Sequence, residues 1–319
     1  MLSQAATLKE LRMPRTGFDV IGDVHGHAKP LKTLLRSMGY LELGQGFRHS
    51  SRMAVFVGDL IDRGPQIRET LKIVTTMVES GDAIALLGNH ELNALAFHTT
   101  TSEGNDSPLR SHTPKHVRQH AATLEQLAPK ELKGFLGWFR TLPLWLETPH
   151  LRVVHACWDP AAVNTLAPYR TLPLTDEFLR ESCRTGGVIS GAVETLLKGK
   201  EVALPHGFRH TDSEGVERDT CRVKWYASSI GHTYRTYALA PETVSLDAPL
   251  PPEAHAAAAP YPEGDVPVFF GHYGLRSATP APLAPNVACV DCGIGTGGSL
   301  CAFRWDGPGD LAVSGFALV

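Results

Sequence analysis

The feature that most restricts the fold of this 319-residue chain is a pattern repeated three times within its first hundred residues. A short apolar run ends in glycine and a cluster of acidic, imidazole or amide side chains. Phe18-Asp19-Val20-Ile21 leads into Gly22-Asp23-Val24-His25-Gly26. Residues 53–57 lead into Gly58-Asp59-Leu60-Ile61-Asp62-Arg63-Gly64, and residues 83–87 into Gly88-Asn89-His90-Glu91. Such short runs, bounded by glycine, predict buried strands. Between them, 29–38 sets Leu31, Leu34, Leu35 and Met38 on one helical face, and 67–79 does the same with Leu71, Val74 and Val78. Strands alternating with helices predict right-handed βαβ crossovers and a largely parallel sheet. Ligands of open α/β sheets gather at the carboxyl ends of the strands, where all three clusters fall.

Two later runs end the same way. Residues 151–154 run into His155-Ala156, and 266–270 into Gly271-His272-Tyr273-Gly274. Residues 97–150 read as mostly helical, interrupted at Pro108, Pro114 and Pro129. The tail holds strand candidates at 286–290, 299–305 and 311–317. An α/β start closed by a strand-rich end predicts a mixed sheet or two packed sheets. The chain reads as one domain, with a core at about 17–156 and 266–319 and an inserted cap at about 157–265. The cap is expected to hold a helix at 188–197 and a hairpin of 208–211 and 220–226 around Asp212-Ser213-Glu214-Gly215. Its end, 240–267, carries seven prolines and reads as loop.

Five strand-end clusters built from Asp, His and Asn supply enough ligands for two divalent metals: Asp23/His25, Asp59/Asp62/Arg63, Asn89/His90, His155 and His272. Asp23 and His25 alternate across Val24 and so face one side of an extended segment. Asp59 can bridge two ions, which together activate a water and neutralise phosphoryl oxygens. Arg63 can grip those oxygens with two donors. His90, off the metals, is left to protonate a leaving group, with Asp62 orienting it and keeping it cationic.

The residues at 22–26, 58–64 and 88–91 resemble the signature of calcineurin-like metallophosphoesterases. The Asp62-Arg63-Gly64 ending is similar to the phosphoprotein phosphatase branch, and the chain resembles bacterial serine/threonine phosphatases or diadenosine tetraphosphatase-like members. The resemblance implies an α/β fold of two packed mixed β-sheets flanked by helices. It also implies a ligand set: Asp23, His25 and Asp59 on one ion, and Asp59, Asn89, His155 and His272 on the other. Manganese is the implied metal, with iron, zinc or nickel as substitutes. His90 becomes the general acid, Asp62 its partner, and Arg63 and Asn89 substrate contacts. Arg222 is a candidate second phosphate contact. The chain departs from the phosphatase pattern at His155-Ala156-Cys157, where His-Gly-Gly is usual, and Cys157 beside a metal implies sensitivity to oxidation.

Water is therefore expected to attack phosphorus directly in a phosphorylated substrate. A phosphoserine or phosphothreonine on protein is the first expectation, and a dinucleoside polyphosphate such as diadenosine tetraphosphate the alternative; Trp158, Trp225 and Tyr226 are available to stack a base. The intact His90 argues against a catalytically silent binding module. A net charge of -3 offers no stripe for a nucleic-acid duplex. No apolar run reaches the length of a membrane span, residues 1–15 lack a signal peptide's apolar core, and six sparse cysteines read as reduced thiols, so a cytoplasmic location is expected.

Three further signals point away from separate sites. Residues 293–298 fit G-x-G-x-x-G, but a strand rather than a helix follows, so they read as a glycine-rich hairpin near the metals. Cys289 and Cys292 lack the further ligands a zinc site needs. His112, His116 and His120, spaced by four beside Lys115 and Arg118, read as a solvated basic helix face.

Overall fold

The computed structural model describes residues 17–101, 107–170, 173–211, 217–240, 244–252, 254 and 259–319. The three repeats form β1 (Gly17–Ile21), α1 (Ala28–Ser37), β2 (Arg52–Phe56), α2 (Ile67–Glu79), β3 (Ala83–Ala85) and α3 (Asn89–His98). Then come α4 (Pro114–Gln126), α5 (Pro129–Phe139), β4 (Trp145–Glu147) and β5 (Arg152–Val154). The helices α6 (Pro160–Leu166), α7 (Asp176–Ser182) and α8 (Val188–Lys198) follow. The last strands are β6 (Val268–Phe270), β7 (Val287–Cys289), β8 (Asp291–Cys292), β9 (Ser299–Trp305) and β10 (Phe316–Leu318).

These strands build two mixed sheets. The first runs β8-β9-β1-β2-β3, with β10 also on β9. Its β1, β2 and β3 are parallel, placing Ile21 beside Phe56 and Phe56 beside Ala85, while β9 is antiparallel with Phe303 opposite Val20. The second runs β7-β6-β5-β4, with only β4 antiparallel. Side chains alternate along each strand. Val20, Val55 and Phe303 of the first sheet therefore meet Val153, Phe269 and Ala288 of the second in one buried cluster. The intervening residues Ile21, Ala54 and Phe56 share the larger core with Leu31, Leu34 and Leu35 of α1 and Leu71 and Val74 of α2. Val154, Val268 and Phe270 do likewise with Leu166, Leu179, Leu196 and Leu197 of α6–α8. Each such fully buried side chain contributes about 1.5–3 kcal/mol relative to exposure.

Several expectations need correction. Pro114 and Pro129 do not interrupt helices; they open α4 and α5. At a first helical position proline gives up an N–H that has no partner anyway. Residues 145–147 form strand β4 rather than helix, and a short turn at Val313–Gly315 interrupts the 311–317 candidate, so that strand β10 begins only at Phe316. The expected hairpin pairs differently. Thr220–Arg222 lies antiparallel to Glu201–Ala203, which sets buried Cys221 against buried Val202. Polar His210–Thr211 pairs instead with Glu217–Arg218. The turn at 212–215 and, within the 240–267 loop, residues 241–243, 253 and 255–258 lie outside the described residues. Beyond α8, Val202, Cys221, Val223, Tyr234, Tyr237, Val244 and Leu250 form a small cluster of their own. Among the described residues, no helix is long and apolar enough to cross a membrane.

Candidate active site

The strand-end clusters meet where the first sheet's parallel strands end. Among the described residues, five non-glycine residues take positive φ, and all lie in these clusters: His25 (43°), Asp59 (52°), Asp62 (63°), Arg63 (65°) and His272 (73°). Each such backbone costs about 1–3 kcal/mol and persists only where its surroundings hold it. Glu91 is the principal holder. Its buried carboxylate accepts the N–H groups of Asp59 at 2.8 Å, Leu60 at 2.8 Å, Ile61 at 3.3 Å and Gly88 at 3.0 Å. Burial first, then Asp59, raises its pKa to about 7. Gly58 is required at the close approach: a Cβ there would stand 2.5 Å from the Gly88 nitrogen. Glu91 closes the third motif, yet its role depends on a loop thirty residues earlier, which spacing does not reveal.

Two histidines have one nitrogen committed to the backbone. His25 Nδ1 donates to Ile61 O at 2.8 Å and His155 Nδ1 to Val57 O at 2.9 Å. Each then turns Nε2 inward, 3.7 Å and 3.4 Å respectively from an Asp59 oxygen, where it can ligate a metal once it carries no proton. Asn89 Oδ1 lies 2.9 Å from His155 Nε2 and 2.8 Å from His272 Nδ1. Ligand atoms of Asp59, His155 and His272 all lie within 4.8 Å of one another, as do those of His25, Asp59 and His90. Asp59 is common to both groups. Asp23 Oδ2 is 4.0 Å from His25 Nε2, and both its oxygens accept the His272 N–H.

The charges also suit a cation. Burial, then Asp291, raises the Asp23 carboxyl well above its usual range. Burial opposes charge on Asp59 too, but His155 and His90 outweigh it and hold that carboxyl well below the usual range. Asp291 is a third buried carboxylate here, accepting N–H groups from Gly274 at 2.5 Å and Gly293 at 2.8 Å. It sits in Val290-Asp291-Cys292-Gly293, another apolar run ending in an acid, and the flanking cysteines drew attention from it. Buried carboxylates, an amide oxygen and bare imidazole nitrogens are a donor set for hard and borderline divalent ions.

Beside this set stands a separate hydrogen-bonded group. His90 Nδ1 donates to Asp62 Oδ2 at 2.6 Å. Burial disfavours charge on His90, yet Asp59 and Asp62 raise its pKa. Asp62 Oδ1 accepts from His120 Nδ1 at 2.9 Å and from the Thr123 hydroxyl at 2.5 Å. Burial opposes charge on Asp62, but His120 and His90 outweigh it and hold the carboxyl well below the usual range. The reading of His112, His116 and His120 as a solvated face is thus wrong for one member. His112 is exposed and His116 half-buried, but His120 is only 2% exposed and points inward. A four-residue spacing puts it on the buried side of a helix whose other side carries Lys115 and Arg118.

Arg63 is exposed at the rim, and its charge acts on His25. The glycine-rich loop seals this corner without a following helix: a Cβ on Gly295 would stand 2.5 Å from His25 Cδ2 and 2.9 Å from Arg63 Cδ. Arg222 lies over the Tyr273 ring at 5.9 Å, and its charge helps lower the His272 pKa, second to burial. The proposed stacking aromatics are packed away, with Trp158 5%, Trp225 2% and Tyr226 7% exposed. They belong to the core beside Phe270. Cys157 is fully buried, and burial pushes its thiol up, so the thiolate that oxidation needs is disfavoured. The expected oxidation sensitivity is withdrawn. Cys289 and Cys292 are buried, free thiols.

Sheets, strand-end ligands and an acid pair together define a metallophosphoesterase. Calcineurin-like phosphoesterases as a family match residues 17–234, and the chain belongs to that family. It is 25% identical over 296 residues to a symmetrical bis(5'-nucleosyl)-tetraphosphatase of Psychromonas ingrahamii, covering 90% of this chain and 92% of the relative. It is 31% identical over 140 residues to the asymmetrical bis(5'-nucleosyl)-tetraphosphatase PrpE of Oceanobacillus iheyensis, covering 43% of this chain. That match spans only 54% of the PrpE relative, about half its length. A protein serine/threonine phosphatase of Saccharomyces cerevisiae aligns in structure with TM-score 0.49 and 14% identity, over 92% of this chain and 73% of that one.

Proposed function

We propose that the chain is a two-metal phosphohydrolase acting on a dinucleoside polyphosphate. The observation that carries the chemistry is Asp59, which converges with His25 and His90 on one side and with His155 and His272 on the other, while His90 is anchored by Asp62. Asp23, His25 and Asp59 would hold one ion, and Asp59, Asn89, His155 and His272 the other, with manganese as the proposed metal. When bound, such a pair lowers the pKa of a water and offsets charge on phosphoryl oxygens. Arg63 contacts those oxygens bidentately from the rim, and Asn89 and Arg222 would join it. His90, charged and anchored through Nδ1, delivers its Nε2 proton to the leaving oxygen. Asp62 keeps the imidazole oriented and cationic.

The choice of substrate rests on the similarity to symmetrical bis(5'-nucleosyl)-tetraphosphatases across nine-tenths of the chain. It puts the dinucleotide ahead of the phosphoprotein, reversing the order expected from sequence. A single domain with 157–265 inserted beside the site fits this reading, the small cluster around Tyr237 forming the cap. The test is a panel of diadenosine tetraphosphate, phosphoserine and phosphothreonine peptides, and p-nitrophenyl phosphate, each with manganese. The dinucleotide is expected to lead the peptides in kcat/KM by at least about tenfold, or 1.4 kcal/mol of transition-state binding. Peptides in the lead would restore the phosphoprotein reading.

A further inference from the structure

We infer that His120 is a positioning residue for His90, acting through Asp62; this rests on the phosphohydrolase reading above. The two Asp62 oxygens have divided tasks. Oδ2 meets His90 Nδ1 at 2.6 Å, while Oδ1 takes two donors from α4, His120 Nδ1 at 2.9 Å and Thr123 Oγ1 at 2.5 Å. A carboxylate rotates broadly about its last torsion. Two donors on one oxygen stop that rotation, and so aim the other oxygen, and the His90 ring plane with it.

His120 is itself held from behind. Its Nε2 lies 3.3 Å from His98 Nε2, and its ring lies against Phe97, centroids 5.4 Å apart. Phe97 is stacked in turn on His112 at 3.7 Å and 20°. Burial, aided by His120 and His112, lowers His98 to about 4, which leaves it neutral with one N–H to share. His90 and His98 lie near opposite ends of the same helix, α3. The hydrogen bonds therefore leave α3 at its start, cross Asp62 and His120 of α4, and return to α3 at its end. This closed circuit fixes the acid against two helices at once.

The experiment compares wild type, His120→Asn and His120→Gln on aryl phosphates of rising leaving-group pKa, with manganese. Asn carries an N–H where imidazole has Nδ1; Gln carries one where it has Nε2. Wild type and His120→Asn are expected to share a shallow dependence of kcat on leaving-group pKa, with KM unchanged. In His120→Gln the dependence steepens. Phenyl phosphate then loses about 10–100-fold, as when a residue supporting a working group is removed. An activated nitrophenyl ester, which leaves without a proton, loses less than about threefold. Equal dependence in the two variants overturns the inference.

A second readout needs no turnover. The downfield proton resonance of the His90–Asp62 bond is expected in wild type and His120→Asn and lost in His120→Gln; retention in all three overturns the inference. Should wild type hydrolyse neither these esters nor diadenosine tetraphosphate, the phosphohydrolase reading fails, and the resonance alone decides how His90 is held.

Discussion

The strand-end loops and the small cluster beyond α8 are built by opposite means. The loops carry five strained non-glycine backbones and are held by specific polar contacts, chiefly the four N–H groups on Glu91. The outer cluster is held by apolar contact among Val202, Cys221, Val223, Tyr234 and Tyr237, with short two- and three-residue ribbons. Where chemistry requires atoms fixed to fractions of an ångström, strain is tolerated and polar contacts hold the geometry. Where shape suffices, hydrophobic burial serves. The first region should thus fail through lost function, and the second through lost stability or substrate fit.

The largest effect should come from the shared carboxylate. Asp59→Asn is expected to cost metal and more than about a thousandfold in turnover, since two ions depend on it. Metal analysis finding both ions in an inactive variant would break the bridging assignment. His90→Asn should lower turnover by about 10²–10⁴-fold with metal content unchanged, the range for loss of a general acid. Full activity in that variant would remove His90 from the chemistry. Tyr237→Ala tests the other region. Its fully buried ring is expected to contribute about 3–5 kcal/mol to the outer cluster. Thermal unfolding should report that loss, and KM for the dinucleotide should rise, while metal content and kcat on p-nitrophenyl phosphate hold. Loss of metal in Tyr237→Ala would mean that the two regions are not separable.

This division also decides what could be read from the residues. Strands β1, β2, β5, β6 and β9 were legible because apolar runs stop at glycine and a polar cluster. The convergence of Asp23, Asp59, Asn89, His155 and His272 followed from one rule, that such strand ends share a lip. Glu91 was not legible as a clamp, because its partners lie thirty residues away. His120 was hidden by its own helix: periodicity names the faces but not which is covered. The pairing of Thr220–Arg222 with Glu201–Ala203 was missed because a nearby turn signal favoured a more local hairpin, while burial of Val202 and Cys221 favoured the longer connection.

The proposed centre draws on distant parts of the chain: Asp23 and His25 near one end, His272, Asp291 and Gly295 near the other. The backbone N–H of His272 rests on Asp23, and β9 must pair with β1 to complete the sheet that carries it. The His272 N–H and Asp23 lie 249 residues apart in the chain. A nascent chain can form β1–β3 and their helices early, through local contacts. It still lacks His272, one of the six proposed ligands, until β6 and the turn after it have been made. Metal uptake is therefore expected to be a late event that locks the finished fold, so that premature chains remain inert toward cellular phosphate esters.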